Sequence, residues 1–260
     1  MNLAATAPTS GLSYQMKVRL LRYGLVTIAL AVWELLSRGV DHPQVPPPSL
    51  IAAAFVSILQ DPGLLKALGG TLLELAAAFA LSVVIGGVLG YLIAMGPRVE
   101  RIGMPILLLI YGIPQVTILP LFILYFGLGA GSKIAFGVSH GLFPIALGLA
   151  AGLKRAKPIY ALWAHSLGAR FKLRILRVQL PQAIPALCTG MRLAMSMTLL
   201  GVLLAELYVS SFGVGFYVRA FTNSSQGPKL FALIFALAFI AVTLNGIVSR
   251  IEKLAGAVER

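Results

Sequence analysis

Chemistry in this 260-residue sequence is restricted to a few ionisable and polar side chains set in long apolar runs. Glu74, His140 and Glu206 lie inside such runs or at their edges. A charge in lipid is costly, so each is expected either to contact a solute on a path or to make an internal hydrogen bond. Glu34, at the end of the first run, is placed to reach interfacial water. His140 has no second ligand at helical spacing, which argues against a metal site. Tyr111, Gln115 and Thr117 surround Pro114 in the third run. A proline there removes a backbone hydrogen bond, and broken backbone at membrane depth is tolerated only where protein buries it or a cavity runs past it. Tyr111, Pro114, Gln115, Thr117, His140, Met195, Ser196 and Glu206 are therefore the candidate translocation-path residues. Ser196 serves equally well as a hydroxyl bonded back to its own helix, and Met195 as adaptable packing.

The second chemical feature is the one long polar interruption, residues 158–185 (PIYALWAHSLGARFKLRILRVQLPQAIP). Pro158 suits the first turn of a helix, and Gly168 suits a left-handed cap at its end. A second helix is predicted over 169–179, with Arg170, Arg174 and Arg177 on one face and Phe171, Ile175 and Val178 on another. Pro181 disrupts the junction with the next run. Taken alone, this pattern fits a basic interfacial helix against anionic headgroups, and it fits equally a docking piece for another protein.

The elements that must hold these residues follow from composition. The chain is 58% hydrophobic and 11% charged, with a mean hydropathy of +0.92. So apolar a chain has lipid as its solvent. Six spans are predicted, at about 21–36, 68–95, 102–127, 134–153, 186–207 and 230–248. A short interfacial helix is predicted at 49–59, after the proline-rich segment DHPQVPPPS. The pairs Gly86/Gly90, Gly137/Gly141 and Gly148/Gly152 allow close helix approach. The net charge is +13, and sixteen of the 21 Lys and Arg fall on one side of this topology. That bias puts both termini in the cytoplasm and divides the chain into a tail 1–20, a transmembrane domain 21–248 with its loop at 154–185, and a tail 249–260. It also accounts for the basicity without nucleic acid. Lys17, Arg19 and Arg22 precede the first run without a cleavage site, so that run is read as a retained span. Cys188 stands alone, and no CxxC or HExxH motif occurs. GLGAGSK at 127–133 lacks the spacing of a phosphate loop. An intramembrane enzyme is thus disfavoured. A self-contained secondary transporter would show internal repeats and more intramembrane charge.

The loop resembles that of permease subunits of binding-protein-dependent ABC importers, whose pattern is EAA, three residues, Gly, nine residues, Ile, one residue, Leu-Pro. Ala164, Gly168, Val178, Leu180 and Pro181 fall on this spacing, while Leu162 and Trp163 replace the usual Glu and first Ala. PPPSLIAAAFVSIL, IPQVTILPLFILYFGLGAGSK and LPQAIPALCTGMRLAMSMTLLGVLLAE are similar to the nitrate/sulfonate/taurine branch. The resemblance implies an all-α type I importer permease fold in the bacterial inner membrane, with coupling helices between spans 4 and 5. It implies ATPase coupling through Tyr160, Ala161, Leu162, Trp163, Ala164, His165, Leu167, Gly168, Ala169, Arg170, Leu180 and Pro181. The implied partners are two ATPase copies, which hold the ATP and Mg, a second permease copy, and a periplasmic or lipid-anchored binding protein. No cofactor is expected on this chain. The implied cargo is a small anion such as a sulfonate, taurine or nitrate, with a pyrimidine or thiamine-precursor solute as the alternative.

Overall fold

The computed structural model describes residues 14–40, 44–155, 158–170, 173, 175–209 and 212–257. It is all-α, with no strand among the described residues. Helix α1 (Tyr14–Val40) is followed by the short α2 (Pro48–Leu59), which starts on a proline in its first turn. Glu34 of α1 caps α2 from outside: its carboxylate accepts from the Ser49 N–H at 3.0 Å and the Ser49 hydroxyl at 2.7 Å, and is paired with Arg38 at 2.7 Å. A carboxylate at a helix N-terminus satisfies orphan donors and complements the helix dipole.

Helix α3 (Pro62–Ala94) begins six residues before the expected span 2, because Asp61 caps it, accepting from the N–H groups of Gly63 at 2.8 Å and Leu64 at 3.2 Å. Span 3 is broken. Helix α4 (Pro97–Tyr111) ends at Gly112, a 3-10 turn covers Gln115–Ile118, and α5 (Leu119–Phe126) resumes at a bend of 79°. Pro114 supplies no N–H at the break, while Pro120 sits in the first turn of α5, where its missing donor costs nothing. Helix α6 (Ala130–Arg155), the loop helix α7 (Pro158–Ser166), α8 (Leu180–Val209), α9 (Val214–Asn223) and α10 (Gly227–Ala257) complete the chain. Among the described residues five helices are long and apolar enough to cross a membrane, six if the bent pair α4 and α5 counts as one span.

The bundle is built on α6, which packs against α3 on one side and α8 on the other. Its apolar window is 61% buried, against 6% for α1. Small residues set the spacing. A Cβ on Gly90 would lie 2.5 Å from the Ala146 carbonyl oxygen of α6, and one on Gly190 of α8 would lie 2.6 Å from the Pro144 carbonyl oxygen. A second apolar cluster joins α2, α3, α9 and α10 through Ile51, Ala54, Ile58, Leu64, Val214, Ala232 and Leu233. The polar segment between spans 5 and 6, where no element is predicted, therefore contains a packed helix, α9.

Candidate coupling face and membrane-embedded polar sites

Helix α7 closes at Gly168 with φ +73°. The Ala169 N–H donates to the Ala164 carbonyl at 2.9 Å and the Leu167 N–H to the Trp163 carbonyl at 3.0 Å, which is a Schellman-type end with glycine at the left-handed position. Leu162, Trp163 and Leu167 are 59%, 60% and 86% exposed, and Tyr160 is also exposed, its ring edge-on to Trp163 at 6.2 Å. Apolar surface of this size, in a segment joining two spans, marks an interaction face. Arg170 and Arg177 are exposed beside it; Ala164 and Ala169 are half-buried. The side chains of Ala161 and His165, and residues Phe171, Lys172 and Arg174, lie outside the described residues. Of the expected 169–179 helix, Ala169 and Arg170 are non-helical, Leu173 is helical, and Ile175–Gln179 form a π-helical turn that runs directly into α8, whose first residues are Leu180 and Pro181. Gln182 donates to the Val178 carbonyl at 2.7 Å across this junction. The proline has no N–H to give, and the wider π turn accommodates it.

At the break in span 3, Gln115 and His140 meet around Ser139, a residue the sequence reading missed. Ser139 Oγ donates to the Phe136 carbonyl at 2.7 Å and lies 3.2 Å from the Gln115 side-chain amide and 3.4 Å from His140 Nδ1. His140 Nδ1 is 3.0 Å from the same carbonyl, which can only accept, so Nδ1 is the donor in this contact. Thr117 Oγ1 donates to the Pro114 carbonyl at 2.6 Å and so closes its own turn. The Tyr111 ring packs on Phe143 at 5.2 Å. Met195 is half-buried, and exposed Ser196 accepts from the Asn245 amide of α10 at 2.8 Å. A lone serine or asparagine in an apolar helix gives no signal in sequence; the partner across the helix gap supplies it.

Glu206 is fully buried, about ten residues or roughly 15 Å along α8 from Ser196. Its Oε1 accepts from Thr71 Oγ1 at 2.7 Å, and its Oε2 from the Gly215 N–H at 2.8 Å. Thr71 Oγ1 also accepts from the Val214 N–H at 3.1 Å. Lys133, which falls between predicted spans 3 and 4, is buried in α6. Its ammonium is 2.6 Å from Glu74 and 3.6 Å from Glu206, and donates to the Phe212 carbonyl at 3.4 Å. Glu74 thus makes an internal ion pair. At the other end of the bundle an exposed pair, Lys154 with Glu100 at 2.5 Å, ties α6 to α4. Among the described residues no three His, Cys, Asp or Glu side chains converge as a metal site.

Residues 82–255 match the model of the binding-protein-dependent transport system inner membrane component. The chain is 28% identical over 225 residues to a formylaminopyrimidine transport permease of Halalkalibacterium halodurans, covering 86% of this chain and 90% of that protein. It is 29% identical over 240 residues to an aliphatic sulfonates transport permease of Bacillus subtilis, covering 89% and 87%. It is 28% identical over 232 residues to the taurine transport system permease of Escherichia coli, covering 86% and 84%. A solved structure described as an amino acid ABC transporter with histidines superposes with a TM-score of 0.58 at 17% identity, over 77% of this chain and 96% of that one, a likeness of fold. The fold is that of a type I importer permease, and members of the family work with an ATPase and a substrate-binding protein. The chain belongs to the binding-protein-dependent transport system inner membrane components, in their nitrate, sulfonate and taurine branch, and is a multi-pass permease subunit of an ABC importer rather than an enzyme.

Proposed function

We propose that this permease carries a small organic or inorganic anion, of the sulfonate, taurine or nitrate type, and that an ATPase drives it by docking on α7. The observation that carries the docking is the face of Tyr160, Leu162, Trp163 and Leu167, exposed on a helix outside the spans and closed by a left-handed Gly168. No acidic residue occurs between Arg101 and Ala205, so the loop presents its apolar face with cations alone. Two ATPases, holding ATP and Mg, act on two permease copies in the bacterial inner membrane, with both termini cytoplasmic and the binding protein delivering solute at the opposite side. The ATPase stabilises one of two permease conformations, and its differential affinity for them is the driving term. Pro114, Gln115, His140, Ser139, Ser196 and Asn245 are the polar groups proposed to meet the solute.

The cargo assignment rests on the sulfonate, taurine and nitrate permeases among the relatives. The similarity to a formylaminopyrimidine permease supports a second reading, a neutral heterocycle held by the uncharged hydrogen-bonding groups at the span 3 break. The test is uptake into proteoliposomes containing the permease, its ATPase and its binding protein. ATP-dependent uptake of taurine or nitrate but not of the pyrimidine supports the first reading, and the converse supports the second. Trp163→Asp is expected to abolish co-purification of the ATPase while membrane insertion persists; a stable complex would refute docking on α7.

A further inference from the structure

The start of α9 is held by side chains of other helices. Its own N-cap, Gly213 at φ 120°, offers no side chain, and the first-turn N–H groups of Val214 and Gly215 go instead to Thr71 of α3 and Glu206 of α8. A Cβ on Gly213 or Gly215 would strike the Glu206 side chain, so the glycines leave room for the carboxylate. Lys133 adds a third tie through the Phe212 carbonyl, and α9 returns one through Arg219, which donates to the Leu207 carbonyl at 3.2 Å. The hydroxyl of Thr71, the carboxylate of Glu206 and the ammonium of Lys133 thus converge from three helices on one helix start. This point lies at the opposite end of α8 from the α7 loop, about 40 Å away along its axis. The same helix that begins at the loop therefore ends in the carboxylate that grips α9.

We propose that Glu206, Thr71 and Lys133 form a buried lock that fixes α9 to the far end of α8, so that displacement of the α7 loop reaches α9 and moves it as the far-side closure of the path. The three are positioning residues: they place α9 and touch no solute. The proposal rests on the coupling role assigned to α7. Glu206 is on α8, which leaves the loop, and Lys133 is on α6, which enters it; the Glu206 carboxylate is met mainly by neutral donors, because the Lys133 ammonium sits 1.0 Å closer to Glu74 (2.6 against 3.6 Å). Hydrogen bonds to N–H and O–H groups fix direction as well as distance. That directionality is what transmits a helix displacement to a short neighbour.

The test places a cysteine at Val214, fully buried at the start of α9, in a Cys188→Ala background, with the full chain in membranes beside its ATPase and binding protein. A membrane-impermeant maleimide is expected to label Val214→Cys slowly. Labelling is expected to rise at least tenfold in Glu206→Ala and in Thr71→Val, which removes only the hydroxyl. Transport per ATP hydrolysed is expected to fall at least fivefold in the same variants without the cysteine, and Glu206→Gln, which keeps an acceptor for the Gly215 N–H, is expected to recover part of both. Gly90→Ala loosens the α3–α6 crossing without touching α9, and is expected to leave Val214→Cys protected. Equal exposure in Gly90→Ala, continued protection in Thr71→Val, or exposure with unchanged transport per ATP would each overturn the lock. Thr71→Val decides the matter if Glu206→Ala does not reach the membrane. Failure of the α7 reading is seen separately, as intact ATPase binding in Trp163→Asp.

Discussion

Gly168→Ala tests whether the shape of the loop, rather than its bulk, carries coupling. At φ +73° the residue sits where an L side chain costs about 1–2 kcal/mol. A Cβ built there meets nothing within 4 Å, so no steric term adds to this. The ratio of turned to unturned loop should then fall about 5–30-fold. If the ATPase binds only the turned form and that form is a minority of the free loop, apparent affinity falls by about the same factor, because apparent Kd rises as the competent fraction drops. The magnitude should not depend on side-chain size. Leu at 168 should match Ala, Asn should lose less because it tolerates the left-handed region, and β-branched Val should lose more. The assay is titration of the detergent-solubilised permease with its ATPase, alongside transport per ATP in proteoliposomes. Binding by Gly168→Ala within twofold of the parent would refute the reasoning. So would a graded loss from Ala to Leu, which would mean that the site senses bulk and that the glycine leaves room for the partner instead.

Gly90→Ala should destabilise the solubilised permease by about 1–3 kcal/mol, since backbone atoms of α6 must retreat from the new methyl, whereas Gly87→Ala on the same helix meets nothing within 4 Å and should be neutral; thermal unfolding in detergent compares them. Lys154→Ala removes an ion pair whose lysine is 68% exposed, and should change stability by less than about 1 kcal/mol in the same assay. Gln115→Leu should lower the uptake rate without changing ATPase co-purification, because it alters the polar cluster at the span 3 break and leaves α7 untouched.

The spans, the break at Pro114, the glycine crossings and the left-handed Gly168 were legible because each is a local consequence of residue type. A proline has no N–H wherever it sits, and a glycine admits a left-handed turn or a close neighbour. The π turn at Ile175–Gln179 and helix α9 were not legible, because both depend on what the chain meets after folding. Residues 214–223 are too short and too polar to read as a span, and their first turn is completed by Thr71 and Glu206. Lys133 was the least legible of all. Counting basic residues assigns it to solvent beside a span, and nothing nearby in sequence contradicts that. The contradiction lies at a distance. Glu74 and Glu206 stand in apolar helices, and a buried carboxylate requires a cation or several donors. Arg192 of span 5 stands fourteen residues from Glu206, about 21 Å along α8, so the demand falls on a lysine at a helix start, and Lys133 opens α6 between the two helices that carry the acids. Reading the acids first turns a loop charge into the centre of an ion-pair network, and it places a buried polar cluster where α3, α6, α8 and α9 meet.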